Sequence, residues 1–287
     1  MAQVIEHVAR ALERGAGGTI VTPNTDICRQ ASRDPVCADL VARASLVVPD
    51  GMPLLWAGRL AGRPLAARVT GADLIVALCS AAARRGWPVH LLGGEPGSGG
   101  PPAANGPPAT NGPPAANGPP TTGGSPTTGG SPATNGSPAT TGSPGTAELA
   151  GRRLAARYPG LRVTGAHSPP RRFDSCSASL DALRRDLTAA RPAIVFVGLG
   201  FPKQELLIER LRPDLPAAWF VGCGAAIPYA AGTLRRAPGP VQRAGLEWAW
   251  RLAAEPRRLA RRYLADLPFA LRLLATSAWQ RSGPDAG

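Results

Sequence analysis

Lysine is nearly missing from this chain of 287 residues: Lys203 is the single one among 32 basic side chains. The formal charge of +13 is therefore arginine charge. With abundant alanine beside it, that balance fits the residue bias of a GC-rich genome as well as it fits a selected anionic partner. No run of about eighteen apolar residues occurs, which excludes a membrane-spanning helix. The N-terminal stretch MAQVIEHVARALERGAGG is charged and patterned as a helix, so no secretory signal is expected. The five cysteines (Cys28, Cys37, Cys79, Cys176 and Cys223) form no Cys-x-x-Cys pair, so neither a zinc site nor a disulfide framework is supported. Most of them read as small buried hydrophobes in a reducing compartment, which places the chain in the cytoplasm. No nucleic-acid reader motif is present, and no nucleic-acid partner is expected.

What is there is a hydrophobic content of 44%, enough for a well-filled core. Between about Gly97 and Gly145 charge and large apolar residues both disappear, and units such as PPAANG and SPTTGG repeat. Such a segment buries too little surface to offset its ordering entropy, so disorder is expected over 97–145. Its flanks, PVHLLGGEPG and TAELAGRRLAARYPGLRV, look like two ends of one βα unit, so the segment reads as a loop insertion.

Elsewhere short apolar runs alternate with helical patterns. Strands are expected at Thr19–Thr22, Leu46–Val48, Val89–Leu92, Leu161–Thr164, Ala193–Val197 and Ala218–Val221. Their near-continuous apolar character fits a mostly parallel sheet covered on both faces. The fold class is α/β and Rossmann-like over residues 1–236, with a helical, basic appendage over 237–287.

Four strand ends carry polar residues of interest. Thr22, Asn24 and Asp26 follow the first strand and suit either a ligand pocket or a helix cap. Asp50-Gly51 ends the second strand, with Arg59, Arg63 and Arg68 downstream and no other charge before Asp73. That pair reads either as a carboxylate in the crevice beyond the strands or as an Asp-Gly turn. LLGGEPG could approach a diphosphate, but it is not Gly-x-Gly-x-x-Gly and is weak evidence. In VFVGLGFPKQE, Gly198 and Gly200 permit close approach of a ligand, and Lys203 and Gln204 open a helix as hydrogen-bond donors. Near the C-terminus Arg251, Arg257, Arg258, Arg261 and Arg262 interleave with Trp248, Trp250 and Tyr263. This pattern suits a helix lying on an anionic membrane, a clamp on a diphosphate, or a solvated basic face.

Taken together, TPNTDI, VVPDGMPLLWAGRLAGRPLAARVTGADL, HLLGGEPG, RYPGLRVTG, VFVGLGFPKQE, VGCGAA and QRAGLEWAWRLAAEPRRLARRYL resemble the WecG/TagA/CpsF glycosyltransferases, in the family's order. The family includes N-acetylmannosaminyltransferases of cell-envelope polymer assembly. The resemblance implies a UDP-sugar donor, a polyprenyl-diphosphate-linked sugar acceptor and peripheral attachment to the inner face of the cell membrane. It casts Asp50 as the general base, Thr22, Asn24, Arg68 and Gln204 as donor-pocket residues, and Arg257, Arg258 and Arg261 as part of the appendage that completes the site. No Asp-x-Asp pair is present to hold a divalent cation, so no metal and no cofactor are expected, with arginines and helix N-termini balancing the diphosphate. Self-association into a homo-oligomer is compatible with the sequence. The alternatives are another nucleotide-sugar or dinucleotide enzyme, or an inactive sugar-nucleotide binding protein. Ile227-Pro228 stands where relatives often carry Phe-Asp, and HSPPRRFD (His167 to Asp174) departs from their glycine-aromatic pattern.

Overall fold

The computed structural model describes residues 1–97, 143–170, 173 and 176–282. A single sheet of six strands, all parallel, forms the centre. The strands are β1 (Gly18–Val21), β2 (Leu46–Val47), β3 (Val89–Gly93), β4 (Val163–His167), β5 (Ile194–Gly198) and β6 (Trp219–Gly222), in the order β2-β1-β6-β5-β3-β4. Parallel neighbours require crossovers, and helices supply them on both faces.

Strand periodicity decides what each face buries. Ile194 and Phe196 of β5, Leu91 of β3, and Trp219 and Val221 of β6 point to one side. There they meet Val4 and Val8 of α1 (Ala2–Glu13), Leu74 and Leu78 of α5 (Gly71–Arg85), Ala150 of α6 (Thr146–Arg157) and Ile227 of α9 (Ala226–Ala231). Val195, Val197, Leu92 and Phe220 point to the other side, against Leu183 and Leu187 of α7 (Ser177–Ala190) and Leu207 and Leu211 of α8 (Lys203–Leu211). Because both faces are dry, these strands lack the apolar–polar alternation of a one-sided sheet.

β4 departs from expectation. Leu161 does not start the strand: its N–H donates to the Tyr158 carbonyl at 3.0 Å, closing a turn, and its side chain is buried under that turn. The strand therefore begins at Val163 and runs on to His167. The disorder expected over 97–145 falls mostly outside the described residues. Its flanks, however, are joined. The Glu95 N–H donates to Thr146 Oγ1 at 3.0 Å and the Thr146 N–H returns to the Glu95 carbonyl at 3.0 Å. The segment thus interrupts one βα connection, as its flanking sequences imply.

After β6 the described chain is helical, with α10 (Gly239–Arg243), α11 (Glu247–Ala254) and α12 (Pro256–Ser282) following α9. α12 lies against α2 (Thr25–Ala31) and α4 (Met52–Leu60). Asp266 of α12 is 7% exposed and accepts from Arg29 Nε of α2 at 2.6 Å; Arg29 also pairs with Asp26. A guanidinium shared by two carboxylates pins α12 to the sheet domain. Among the described residues no helix is long and apolar enough to cross a membrane.

Candidate active site

The carboxyl ends of the strands form a row of loops, and several of the polar residues flagged above lie there. The Val48 N–H extends the β1–β2 pairing by donating to the Val21 carbonyl at 3.0 Å. The chain then turns at Pro49-Asp50, and the Asp50 N–H donates to the Pro23 carbonyl at 2.7 Å. That bond hangs the loop of Asp50 on the loop that follows β1. Gly51 completes the turn with φ +137°, a conformation other residues rarely adopt, and its Cα faces Asn24. The Pro49 carbonyl accepts from the Val69 N–H at 2.8 Å, which brings Arg68 and Thr70 to the same place. Thr70 caps α5 by accepting from the Asp73 N–H at 3.0 Å.

Asp50 therefore sits half-buried in the loop beyond β2. Loss of hydration lifts its carboxyl from 3.8 to about 7; Arg68 and Arg251 act against that lift, and Glu247 and Asp73 add to it. A carboxylate ionised only in part at neutral pH is well matched to accepting a proton.

A ladder of charges rises from it. Arg68 Nη2 lies 3.3 Å from Glu247 Oε2, and Glu247 Oε1 lies 3.4 Å from Arg236 Nε. Arg236 Nη1 reaches Asp73 Oδ1 at 2.7 Å and its Nη2 donates to Thr70 Oγ1 at 3.3 Å. Burial works against the charge on Asp73, but the hydrogen bonds from Arg236 and Thr70 outweigh it and hold the carboxyl below its ordinary value. Arg251 lies over the Tyr229 ring at 5.8 Å, and its buried Nε has no hydrogen-bond partner among the described residues. A buried guanidinium N–H left open beside Asp50 is a candidate donor to a phosphate oxygen.

Farther along the row of loops, Gln204 is 3% exposed and acts as a staple. Its Oε1 accepts from the N–H groups of Gly200 and Gly224, each at 3.1 Å, joining the loops after β5 and β6. Its Nε2 donates to Glu205 Oε1 at 2.8 Å, leaving one amide hydrogen unassigned. The glycines are dictated by packing. A Cβ on Gly198 would lie 2.7 Å from the Gly224 carbonyl, and one on Gly222 would lie 2.6 Å from Glu205 Oε1. Gly200 has open space but a φ of +80°. In LLGGEPG the glycines serve similar ends, since a Cβ on Gly93 or Gly94 would collide with Gly198 or Thr146.

Thr22, Asn24, Asp50 and Arg68 are thus brought together, and Gly198, Gly200 and Gln204 continue the same row of loops. Two of these side chains also carry structural bonds: Asn24 Oδ1 caps α2 by accepting from the Ile27 N–H at 3.1 Å, and Thr22 Oγ1 donates to the Gly222 carbonyl at 3.4 Å. Lys203 is exposed at the start of α8. Arg257, Arg258 and Arg261 are exposed too, and Arg258 is spent on Glu255 at 2.6 Å. The appendage arginine that acts on Asp50 is Arg251. Glu205, Arg236 and Glu247 were not singled out as site residues from the sequence. Only the spacing of Glu247 and Arg251 by four residues, which puts them on one helix face, could have signalled part of this group. Among the described residues no three His, Cys, Asp or Glu side chains cluster closely enough to hold a metal ion.

The parallel sheet with helices on both faces is a Rossmann-like α/β fold, and its loop row brings Asp50 close to the charges of Arg68 and Arg251. Residues 1–103 and 139–283 match the model of the glycosyl transferase WecG/TagA/CpsF family, and the chain belongs to that family. It is accordingly a glycosyltransferase. Over 250 residues it is 26% identical to N-acetylglucosaminyldiphosphoundecaprenol N-acetyl-beta-D-mannosaminyltransferase of Bacillus spizizenii, covering 87% of this chain and 76% of that protein. It is 22% identical over 263 residues to the protein of the same name from Bacillus subtilis strain 168, covering 92% of this chain and 81% of the relative.

Proposed function

We propose that the chain transfers an N-acetylmannosamine-type hexosyl group from a UDP-sugar to a sugar carried on a polyprenyl diphosphate, with inversion and without a metal, in cell-envelope polymer synthesis. The observation that carries this reading is Asp50, placed beyond β2 with a carboxyl lifted to about 7 and flanked by Arg68 and Arg251. In the proposed step the Asp50 carboxylate takes the proton of the acceptor hydroxyl. The acceptor oxygen bonds the donor anomeric carbon as that carbon's bond to the diphosphate oxygen breaks. UDP departs with the bonding electrons, and the arginines balance its charge. Asp50 then returns its proton to solvent. One displacement on an α-linked donor gives a β-linked product, the linkage named for the Bacillus relatives.

The acceptor is a membrane lipid, and α12 suits work at that surface. Leu264, Leu267 and Leu271 are 69%, 53% and 59% exposed on α12, and Trp279 is 78% exposed. Exposed arginines on the same helix, such as Arg257 and Arg261, supply attraction to anionic headgroups. This pairing of apolar and basic groups supports peripheral attachment, which we place at the cytoplasmic face of the membrane. The test is UDP release from UDP-N-acetylmannosamine with and without an N-acetylglucosaminyl polyprenyl diphosphate. Release that depends on the acceptor supports the reading; release from neither mixture contradicts it.

A further inference from the structure

Of the charges around Asp50, Arg68 acts on it most strongly, yet the two form no ion pair among the described residues. Arg68 is instead bonded to Glu247, the first residue of α11, at 3.3 Å. Glu247 is 13% exposed in its side chain and is gripped from its far side by Arg236 at 3.4 Å. Arg236 is itself anchored to Asp73 and Thr70 at the start of α5. The carboxylate of Glu247 is therefore held firmly in place and turns the Arg68 fork toward the C-terminal helices. Were Arg68 free, Asp50, on which its charge already acts, would be open to it, and a guanidinium–carboxylate pair would weaken that base.

We propose that Glu247 is a positioning residue for sugar transfer: by engaging Arg68 it withholds that guanidinium from Asp50 and leaves the carboxylate free to take the acceptor's proton. The proposal rests on Asp50 being the base. The charged groups facing Asp50 are Arg68 from the loop before α5, Asp73 of α5, and Glu247 and Arg251 of α11. Those facing Glu247 are Arg68 and Arg236, with the Tyr229 hydroxyl of α9 nearby. The contact also makes activity depend on docking of α11, since Glu247 arrives only with that helix.

The experiment is the pH profile of kcat/KM for UDP release by the full chain, using UDP-N-acetylmannosamine and the N-acetylglucosaminyl polyprenyl diphosphate acceptor. Glu247→Gln removes a negative charge and releases Arg68; both changes favour ionised Asp50. The acid limb should move to lower pH by about one unit, and the plateau should fall several-fold because the base is weaker. In an Arg68→Gln background the same substitution should move the limb by less than half as much, because its effect passes through Arg68. An unmoved acid limb in folded Glu247→Gln overturns the proposal, as does an equal shift in both backgrounds. If Glu247→Gln does not fold, Glu247→Asp keeps the charge but shortens its reach by a methylene; the limb should move the same way by less, and an unmoved limb again overturns it. Failure of the base assignment shows separately, as full turnover in Asp50→Asn.

Discussion

Replacing Glu205 by glutamine should make the folded chain more tolerant of alkaline pH. Glu205 is 3% exposed; its Oε1 is bonded to Gln204, while its Oε2 has no hydrogen-bond partner among the described residues. Loss of hydration lifts the carboxyl from 4.5 to about 7, against the smaller opposing pull of the Gln204 hydrogen bond. A carboxyl whose pKa is raised on folding binds its proton more tightly in the native state. Its contribution is fully present below pH 4.5 and is lost as pH rises through about 7. At about 1.4 kcal/mol per pH unit, the loss between pH 4 and pH 8 is about 3 kcal/mol. Glutamine cannot ionise and escapes that loss. Its buried amide N–H groups lack an acceptor and cost about 1–3 kcal/mol, but this cost does not vary with pH. The informative quantity is therefore the stability difference between Glu205→Gln and the parent chain, measured by urea denaturation at pH 4 and at pH 8. That difference should move in favour of glutamine by about 3 kcal/mol, or roughly 6–12 °C in Tm for a chain of this size. A difference equal at the two pH values, or one moving in favour of glutamate, refutes the reasoning.

Two further outcomes follow from the C-terminal helices. Arg29→Met leaves Asp26 and Asp266 facing each other without their shared cation, and should cost about 3 kcal/mol in urea denaturation. Asp266→Asn keeps an acceptor for Arg29 and should cost less than about 1.5 kcal/mol; equal losses would show that the guanidinium does not hold α12. Leu264, Leu267 and Leu271 changed together to serine should abolish co-sedimentation with anionic vesicles while circular dichroism stays unchanged. Undiminished binding would remove α12 from the membrane surface.

The centre of the sheet was legible because β1, β3, β5 and β6 are short, mostly apolar runs, and dryness on both faces keeps them nearly continuous. The loop after β2 was legible for a related reason: Asp50-Gly51 follows an apolar run directly and marks where the strand must stop. β4 slipped because Leu161 looks like a strand residue, whereas its burial belongs to the turn at Tyr158. The ladder joining Arg68, Glu247, Arg236 and Asp73 was not legible. Its partners are brought together by the packing of α11 on the sheet domain, and no local pattern encodes such distant pairs. Glu205 was hidden in the same way, since FPKQE reads as a helix opening. Only the bare Cα of Gly222, against which its carboxylate packs, shows that it points inward.

The account turns on Asp50. The most direct measurement is acceptor-dependent UDP release by Asp50→Asn beside the parent chain, with the thermal shift caused by UDP-N-acetylmannosamine recorded on both. The expected result is turnover lower by about 100-fold or more, with the donor-induced shift retained because the substitution preserves the shape of the pocket. Turnover within a few-fold of the parent, with the donor bound normally, would contradict the assignment of Asp50 as the base.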